Sequence, residues 1–192
     1  MTQSVNGEKN LPRTVQIQTL EPTRFAPFGS YTNLIQPLGP QIGSSPITFY
    51  RDMLPLELAG KNPSFCVCRI EPRAGVIDVM EYHSSTGEGI LPLDGDVLVQ
   101  VAPATPRDAA FPAEEVRVFH VPRGTMLCLR PGVWLASRAV RTRGNCECAD
   151  RTARTNLRER LHGARVGTSA AASDCGSVLT FFAGRFKIGR GN

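Results

Sequence analysis

Short stretches in which apolar and polar residues alternate recur along the first two thirds of the chain. Residues 15–20 (VQIQTL), 64–70 (SFCVCRI) and 116–121 (VRVFHV) have the period of two that is typical of a half-buried β-strand. Residues 97–101 (VLVQV) are mostly apolar and β-branched, which predicts a strand buried on both faces. The pattern therefore predicts several short strands that share one core.

Glycine and proline mark the ends of these strands. Asp94-Gly95 is a strong hairpin signal, and Pro131-Gly132 follows a strand predicted at residues 126–129. The chain has 18 glycines and 15 prolines, which favours many turns over long helices. Short strands at regular spacing between such turns predict an all-β fold, either a sandwich or a barrel.

The length of 192 residues and a hydrophobic content of 41% suit one compact domain. We expect a disordered polar start at residues 1–14 and the β domain at residues 15–134. The chain contains no run of about 18 apolar residues, so no membrane span is predicted. The N-terminus also lacks the apolar centre of a secretory signal. We therefore expect a cytoplasmic protein whose cysteines are thiols, with Cys66 and Cys68 as small buried side chains.

The segment at residues 81–104 (EYHSSTGEGILPLDGDVLVQVAPA) carries the side chains best suited to chemistry. Glu81 and His83 are two positions apart, so on a strand they share a face. Glu88 follows across a turn that contains glycine, and the two carboxylates can therefore converge on the imidazole. This combination suits acid–base chemistry or a divalent metal. The alternative is a hairpin rim with ordinary polar residues.

Three separated segments resemble the ureidoglycolate lyase family, in the family's order. The spacing E-x-H-x4-E from Glu81, followed by P-x-x-G, resembles the first cupin motif. Residues 119–134 (FHVPRGTMLCLRPGVW) resemble the approach to the second motif. Residues 25–29 (FAPFG) and Arg69 in its strand complete the set. The resemblance covers about residues 15–134.

This resemblance implies a cupin-like β-barrel of the RmlC-like jelly-roll type that acts as a carbon–nitrogen lyase. The implied reaction cleaves ureidoglycolate to glyoxylate and urea in the degradation of allantoin and other purine products. The implied enzyme is a cytoplasmic homodimer that binds a small ureido acid and has no membrane partner.

Four residues are the candidates for such a site. His83 is the expected base or metal ligand, and Glu81 and Glu88 are expected to orient it or to share a metal with it. Arg69 is the expected clamp for the substrate carboxylate, because a guanidinium matches two carboxylate oxygens. A structural histidine and a surface arginine are the alternatives. The sequence leaves open whether a divalent metal binds at His83 and Glu88.

The composition changes sharply at residue 135. Residues 1–134 carry 11 Lys/Arg and 13 Asp/Glu, a net charge of −2, whereas residues 135–192 carry 11 and 4, a net charge of +7. The second segment is rich in arginine, poor in apolar residues and without a period, which predicts a disordered basic tail. The resemblance to the family stops after Trp134.

A shift of one nucleotide restores the family pattern in this tail. Each of residues 135–163 can be assigned a codon that the genetic code permits for it. When the resulting nucleotide sequence is read in the frame that starts one nucleotide later, it encodes LHHAPFVPEATVNVLIVLPERTYANDCTV. That string contains the family's His-His-x-Pro-Phe and an apolar strand, VNVLIVL. The first two bases of most codons are fixed, so agreement over this length is hard to obtain by chance. We therefore interpret residues 135–192 as a frameshifted translation from a sequencing error, a mis-assigned splice site or a pseudogene. The chain with the shifted frame is called the restored-frame chain below.

Other functions remain open from the sequence. A cupin-type enzyme could act on another small molecule in a specialised or secondary-metabolite pathway, or the chain could be an inactive homologue. The basic tail could instead bind nucleic acid. Its only aromatic residues are Phe181, Phe182 and Phe186, and basic charge without interleaved aromatics is weak support for that function.

Overall fold

The computed structural model describes residues 13–58, 64–70, 76–77, 80–107, 109–136, 140–141, 152–155 and 178–183. Its α-helix within these residues, α1 (Pro22–Phe25), has four residues, and a 3₁₀ turn spans Ala113–Glu115. No described helix is long and apolar enough to cross a membrane. The strands are β1 (Arg13–Thr19), β2 (Gly29–Asn33), β3 (Gln41–Ser44), β4 (Ile47–Tyr50), β5 (Ser64–Arg69), β6 (Val76–Ile77), β7 (Met80–Glu81), β8 (Glu88–Pro92), β9 (Val97–Ala102), β10 (Arg117–Val121), β11 (Thr125–Leu129), β12 (Trp134–Ala136), β13 (Val140–Arg141), β14 (Thr152–Thr155) and β15 (Val178–Ala183).

Eight strands form the larger sheet. Its order is β6-β14-β1-β10-β9-β12-β7, and β13 also pairs with β9. All six residues of β9 are buried, as expected for a strand that is apolar on both faces. β9 pairs antiparallel with β10 along its length and with β12 through Leu135 and Val101. The short strand β7 therefore lies at an edge of this sheet, next to β12.

Five strands form the smaller sheet, in the order β2-β11-β8-β15-β5. β11 is buried throughout and pairs antiparallel with β2 and β8. β15 runs parallel to both of its neighbours, β8 and β5. The remaining two strands, β3 and β4, form a separate hairpin. Arg69 is therefore the last residue of β5, a strand at the edge of this sheet.

The main core lies between the two sheets. Alternate residues of β9 and β10 face the smaller sheet, and the ring of Phe119 meets that of Phe25 at 5.2 Å in an edge-on contact. The buried members of this core are Phe25, Phe28, Ile70, Ile90, Val97, Val99, Val101, Phe119, Val121, Leu127, Leu129, Val133 and Leu135. A second apolar cluster covers the outer face of the larger sheet, and its buried members are Val15, Ile77, Leu98, Ala102, Val116 and Val118.

The all-β prediction is confirmed, and two facing sheets are the arrangement of a jelly roll. The strands predicted at residues 15–20, 64–70, 97–101 and 116–121 coincide with β1, β5, β9 and β10 to within two residues. Within the described residues the two sheets are not hydrogen-bonded into one closed barrel. Closure requires the edge strands of one sheet to pair with those of the other, whereas β2 and β5 end one sheet here and β6 and β7 end the other.

Parts of the segment beyond residue 134 are also strands. β13, β14 and β15 lie there, with β14 between β1 and β6 and β15 between β8 and β5. The remainder of the predicted disordered tail lies outside the described residues. The same is true of the predicted disordered start at residues 1–14, except for Arg13 and Thr14, which belong to β1.

Candidate active site

Glu81 lies at the rim of the larger sheet, on the face that looks toward the smaller sheet. It is paired with Leu135 across β7 and β12. Leu135 belongs to the core between the sheets, and residues directly opposite each other on paired strands share a face. The next pair, Met80 and Ala136, packs on the outer face instead. The exposed carboxylate of Glu81 therefore stands at the opening of the space between the sheets.

His83 lies at the same opening. Its backbone C=O accepts a hydrogen bond of 2.8 Å from the N–H of Gly132. The ring of Tyr82, the preceding residue, packs against Trp134, which belongs to the outer cluster. Because successive side chains of an extended chain alternate, the imidazole of His83 points inward. The side chain is 43% exposed, so solvent and small solutes can reach it.

Glu88 enters the space from the opposite sheet and meets His83. Nε2 of His83 is 3.5 Å from Oε2 of Glu88, whose side chain is only 10% exposed. The residue before Glu88 must be a glycine, because a Cβ at Gly87 would overlap the carbonyl oxygens of Leu129 and Glu57. The N–H of Gly87 donates to the C=O of Glu57 at 3.0 Å. The start of β8 is therefore held close to β11, with its first side chain inside.

The carboxylate of Glu88 raises the pKa of His83 above its ordinary value. The hydrogen bond between the two side chains is the largest cause. Partial burial lowers the pKa, and the negative charges of Glu88 and Glu81 raise it further. An imidazole with a raised pKa takes up a proton more readily near neutral pH, and it can return that proton in a later step. The pair is therefore equipped for acid–base chemistry.

Cys68 is a residue of this site that the sequence did not assign to it. Its half-buried side chain packs against the core between the sheets. Burial and the charge of Glu88 raise the pKa of the Cys68 thiol, so the thiol stays protonated at neutral pH and forms a weakly polar wall. Cys66 shares this face of β5 but is exposed, and Cys68 is only partly buried, so the expectation of two buried cysteines is wrong. The approach of Glu88, from a different strand, had no local signal.

Arg69 is not brought together with the other three candidates. It is the exposed last residue of β5, next to Cys68 in sequence and therefore on the opposite face. That face also carries Phe65 and Val67, which are 70% and 63% exposed. The guanidinium would have to reach around the end of an edge strand to meet a substrate beside His83. The carboxylate clamp stays a prediction.

The described residues do not fit a resident metal. Across the described ranges, no group of three or more His, Cys, Asp or Glu side chains is arranged to hold a metal ion. His83 and Glu88 supply two donors, whereas a catalytic zinc site typically has about three protein ligands.

A second histidine–carboxylate pair lies on the outer face of the larger sheet. Nε2 of His120 is 2.9 Å from Oδ2 of Asp96, and Oδ1 of Asp96 accepts a 2.9 Å hydrogen bond from the N–H of Arg123. His120 lies between two core residues of β10, Phe119 and Val121, so its side chain points away from the core. The pair ties the turn after β10 to the start of β9 and serves below as a control for His83.

Glu88→Gln is expected to lower the pKa of His83, because the variant removes a negative charge and leaves the burial that opposes protonation. The limb of the pH–rate profile that reports His83 should move to lower pH. Folding raises this pKa above 6.5, so the pair stabilises the fold below pH 6.5 and loses that effect as the pH rises through the folded-state value. An NMR titration of the imidazole measures the change.

Glu81→Gln is the matched control for that titration. Glu81 raises the pKa of His83 only through its charge, which is the last of the four causes, so its removal should lower the pKa less than removal of the Glu88 charge. An unchanged pKa in Glu88→Gln, or a larger change in Glu81→Gln, contradicts the pairing of His83 with Glu88.

Comparison with known proteins gives one family. The family model described as ureidoglycolate lyase matches residues 12–166 of this chain. The match contains the whole of the expected segment, residues 15–134, and continues past Trp134 into the basic segment. A search of curated proteins gave no match.

Proposed function

The chain belongs to the ureidoglycolate lyase family, and we propose that it cleaves ureidoglycolate to glyoxylate and urea. The observation that carries the proposal is the pair of His83 and Glu88 at the opening between the sheets, 3.5 Å apart and with the carboxylate nearly buried. The family match supports a lyase that acts on a small molecule. A role in allantoin and purine degradation, a cytoplasmic location and a homodimeric assembly are the finer parts of this proposal.

The reaction needs one group that first accepts and then donates a proton. Ureidoglycolate carries a hydroxyl and a urea nitrogen on the same carbon. His83 accepts the hydroxyl proton, the carbonyl of glyoxylate forms, and the carbon–nitrogen bond breaks. The imidazolium then returns the proton to the departing urea nitrogen, so atoms and charge balance without an oxidant. Because Nε2 faces Glu88, Nδ1 is the nitrogen that meets the substrate.

Glu88 contributes by staying charged. A carboxylate close to the imidazole stabilises the imidazolium that forms during the reaction, and its hydrogen bond fixes the orientation of the ring. Glu81, at the rim, adds negative charge from a greater distance. Cys68 is a neutral neighbour that does not compete for the proton, because its pKa is raised.

The test is a direct assay of both products. Purified protein is incubated with ureidoglycolate, and glyoxylate and urea should appear in equal amounts. The same assay with other ureido acids and with keto acids, each with and without a chelator, separates this reaction from that of a different cupin-type enzyme. Turnover of another substrate class only, or complete loss of activity with chelator, contradicts the proposal as written.

Arg69→Lys is expected to raise KM more than it lowers kcat, because a bidentate clamp for the substrate carboxylate becomes a point charge. Steady-state kinetics over a range of ureidoglycolate concentrations measures the two constants. Arg51→Lys is a suitable control, since Arg51 is also exposed and its guanidinium contacts the neighbouring Asp52. An unchanged KM in Arg69→Lys would contradict the clamp. Arg69 would then be an ordinary surface arginine on the exposed face of β5.

A further inference from the structure

The strand that carries Glu81 is too short to fix the orientation of His83 by itself. β7 has two residues and, within the described part of the larger sheet, pairs only with β12. A slip of one residue on such a strand would turn every side chain to the other face. His83 lies beyond the last paired residue, so its inward orientation depends on contacts other than the ladder.

Those contacts are made on the opposite face of the sheet. The ring of Tyr82 meets Trp134 with ring centroids 4.6 Å apart and planes at 63°. Trp134 is held from two further directions, because Phe111 packs edge-on against it at 5.1 Å and its Nε1–H donates to Oγ1 of Thr105 at 3.1 Å. We name Tyr82, Trp134, Phe111 and Thr105 the aromatic clasp. The clasp fixes Tyr82 outside, which by alternation places the next side chain inside.

The backbone supports the same orientation. The N–H of Gly132 donates to the C=O of His83 at 2.8 Å, and Gly132 adopts a positive φ of 81°. A Cβ at Gly132 would lie 3.1 Å from that of Ala104, so glycine fits both the turn and the close approach of the segment that carries Thr105. One segment, Gly132 to Trp134, therefore holds the backbone of His83 and the ring beside it.

We propose that Trp134, acting through Tyr82, is a positioning residue that directs the His83 imidazole toward Glu88. The clasp does not touch the reacting atoms. Its effect on catalysis rests on the proposed function, but its effect on the His83–Glu88 contact does not. A mispositioned base is expected to lower kcat, because a displacement of about 1 Å can cost roughly 10²-fold in rate. Substrate affinity should change little.

The test uses Tyr82→Leu and Trp134→Phe in the full-length chain and in the restored-frame chain, since residues 1–134 are common to both. The first variant removes the ring next to His83, and the second shortens the anchor and removes the bond to Thr105. The measurements are the pKa of His83 and the imidazole chemical shifts of His120 by NMR, kcat and KM for ureidoglycolate, and the midpoint of urea unfolding.

Both variants should lower the pKa of His83, because the hydrogen bond to Glu88 weakens, and should lower kcat by about tenfold or more with KM within about twofold. Tyr82→Phe keeps the ring and should retain the wild-type pKa and kcat. His120, on the outer face of β10, is the internal control, and its imidazole NMR signals should stay at their wild-type positions.

Two results overturn the proposal. One is a folded Tyr82→Leu variant in which the pKa of His83 is unchanged. The other is a displacement of the His120 imidazole signals as large as that of the His83 signals, which would indicate a general loss of packing rather than loss of positioning. If the wild-type protein does not cleave ureidoglycolate, the proposed function fails, whereas the pKa measurements still decide the role of the clasp.

Discussion

His83→Ala is expected to lower kcat/KM for ureidoglycolate by about 10²–10⁴-fold, the contribution typical of a general acid or base. Among the described histidines, His83 is the one whose imidazole faces the space between the sheets, with Nε2 3.5 Å from Oε2 of Glu88 and the side chain 43% exposed. Its raised pKa suits proton exchange near neutral pH. Without it, neither the hydroxyl proton nor the departing nitrogen has a partner. The assay is best made in the restored-frame chain, where the tail does not limit folding.

His120→Ala is the matched control, since it removes an imidazole that is even closer to a carboxylate, at 2.9 Å from Asp96. Because His120 points to the outer face, its loss should leave the rate with ureidoglycolate near that of the parent chain. A loss of less than about tenfold in His83→Ala would assign the base to another group. Equal losses in the two variants would point to stability as the cause.

The 192-residue chain is expected to be less stable than the restored-frame chain by several kcal/mol, and to be a poor enzyme. The restored frame supplies the apolar strand VNVLIVL where the 192-residue chain has CECADRT, residues 146–152, without a large aliphatic side chain. Each large apolar side chain that is not buried forfeits about 1.5–3 kcal/mol. Four or five such losses approach the whole stability of a typical domain, roughly 5–15 kcal/mol. The shifted frame also supplies the two histidines of the family motif.

The topology adds a reason for this expectation. β14 and β15 occupy internal positions in the two sheets, where a strand is expected to bury side chains against its neighbours. β14 reads TART, and Arg154 pairs with Thr14 on one side and Val76 on the other. The four residues of β14 include no large apolar side chain that could add to a core. If β14 does not pair with β1, the backbone N–H and C=O groups along that edge of β1 are left unpaired and can pair with another chain, which favours aggregation.

Both chains are expressed side by side, and their solubility, urea unfolding and lyase activity are compared. Resequencing the transcript and the genomic DNA across codons 132–140 tests the frame directly. A soluble, cooperatively unfolding and active 192-residue chain with an unbroken frame would show that the basic segment is genuine. The family match to residue 166 makes residues 135–166 the part to sequence most carefully.

The fold class could be predicted because its signals are local. β9 is apolar on both faces, which predicts burial wherever the strand is placed, and glycine with proline marks the turns between strands. The spacing of two between Glu81 and His83 puts them on one face of any extended chain. The contact between His83 and Glu88 was also within reach, because only a short turn separates them.

β5 shows where local reasoning stops. Hydrophobicity alone would turn Phe65 and Val67 inward, yet both are exposed and Cys68 packs against the core. Alternation defines two faces of a strand, but long-range pairing selects the face that meets the core. The placement of Arg69 on the exposed face follows from that selection, and no feature of its own segment predicts it.

The sequence by itself therefore determined that this protein is built of short strands, that it belongs with the ureidoglycolate lyases, and that His83 and its two flanking carboxylates are its best candidates for chemistry. Periodicity, turn residues and short-range spacing carry that information along the chain. Only the tertiary structure decided that the imidazole faces inward, that Cys68 lies near Glu88, and that Trp134 anchors Tyr82. These contacts join strands that are far apart in sequence, and their geometry is set by sheet pairing and core packing rather than by any local pattern.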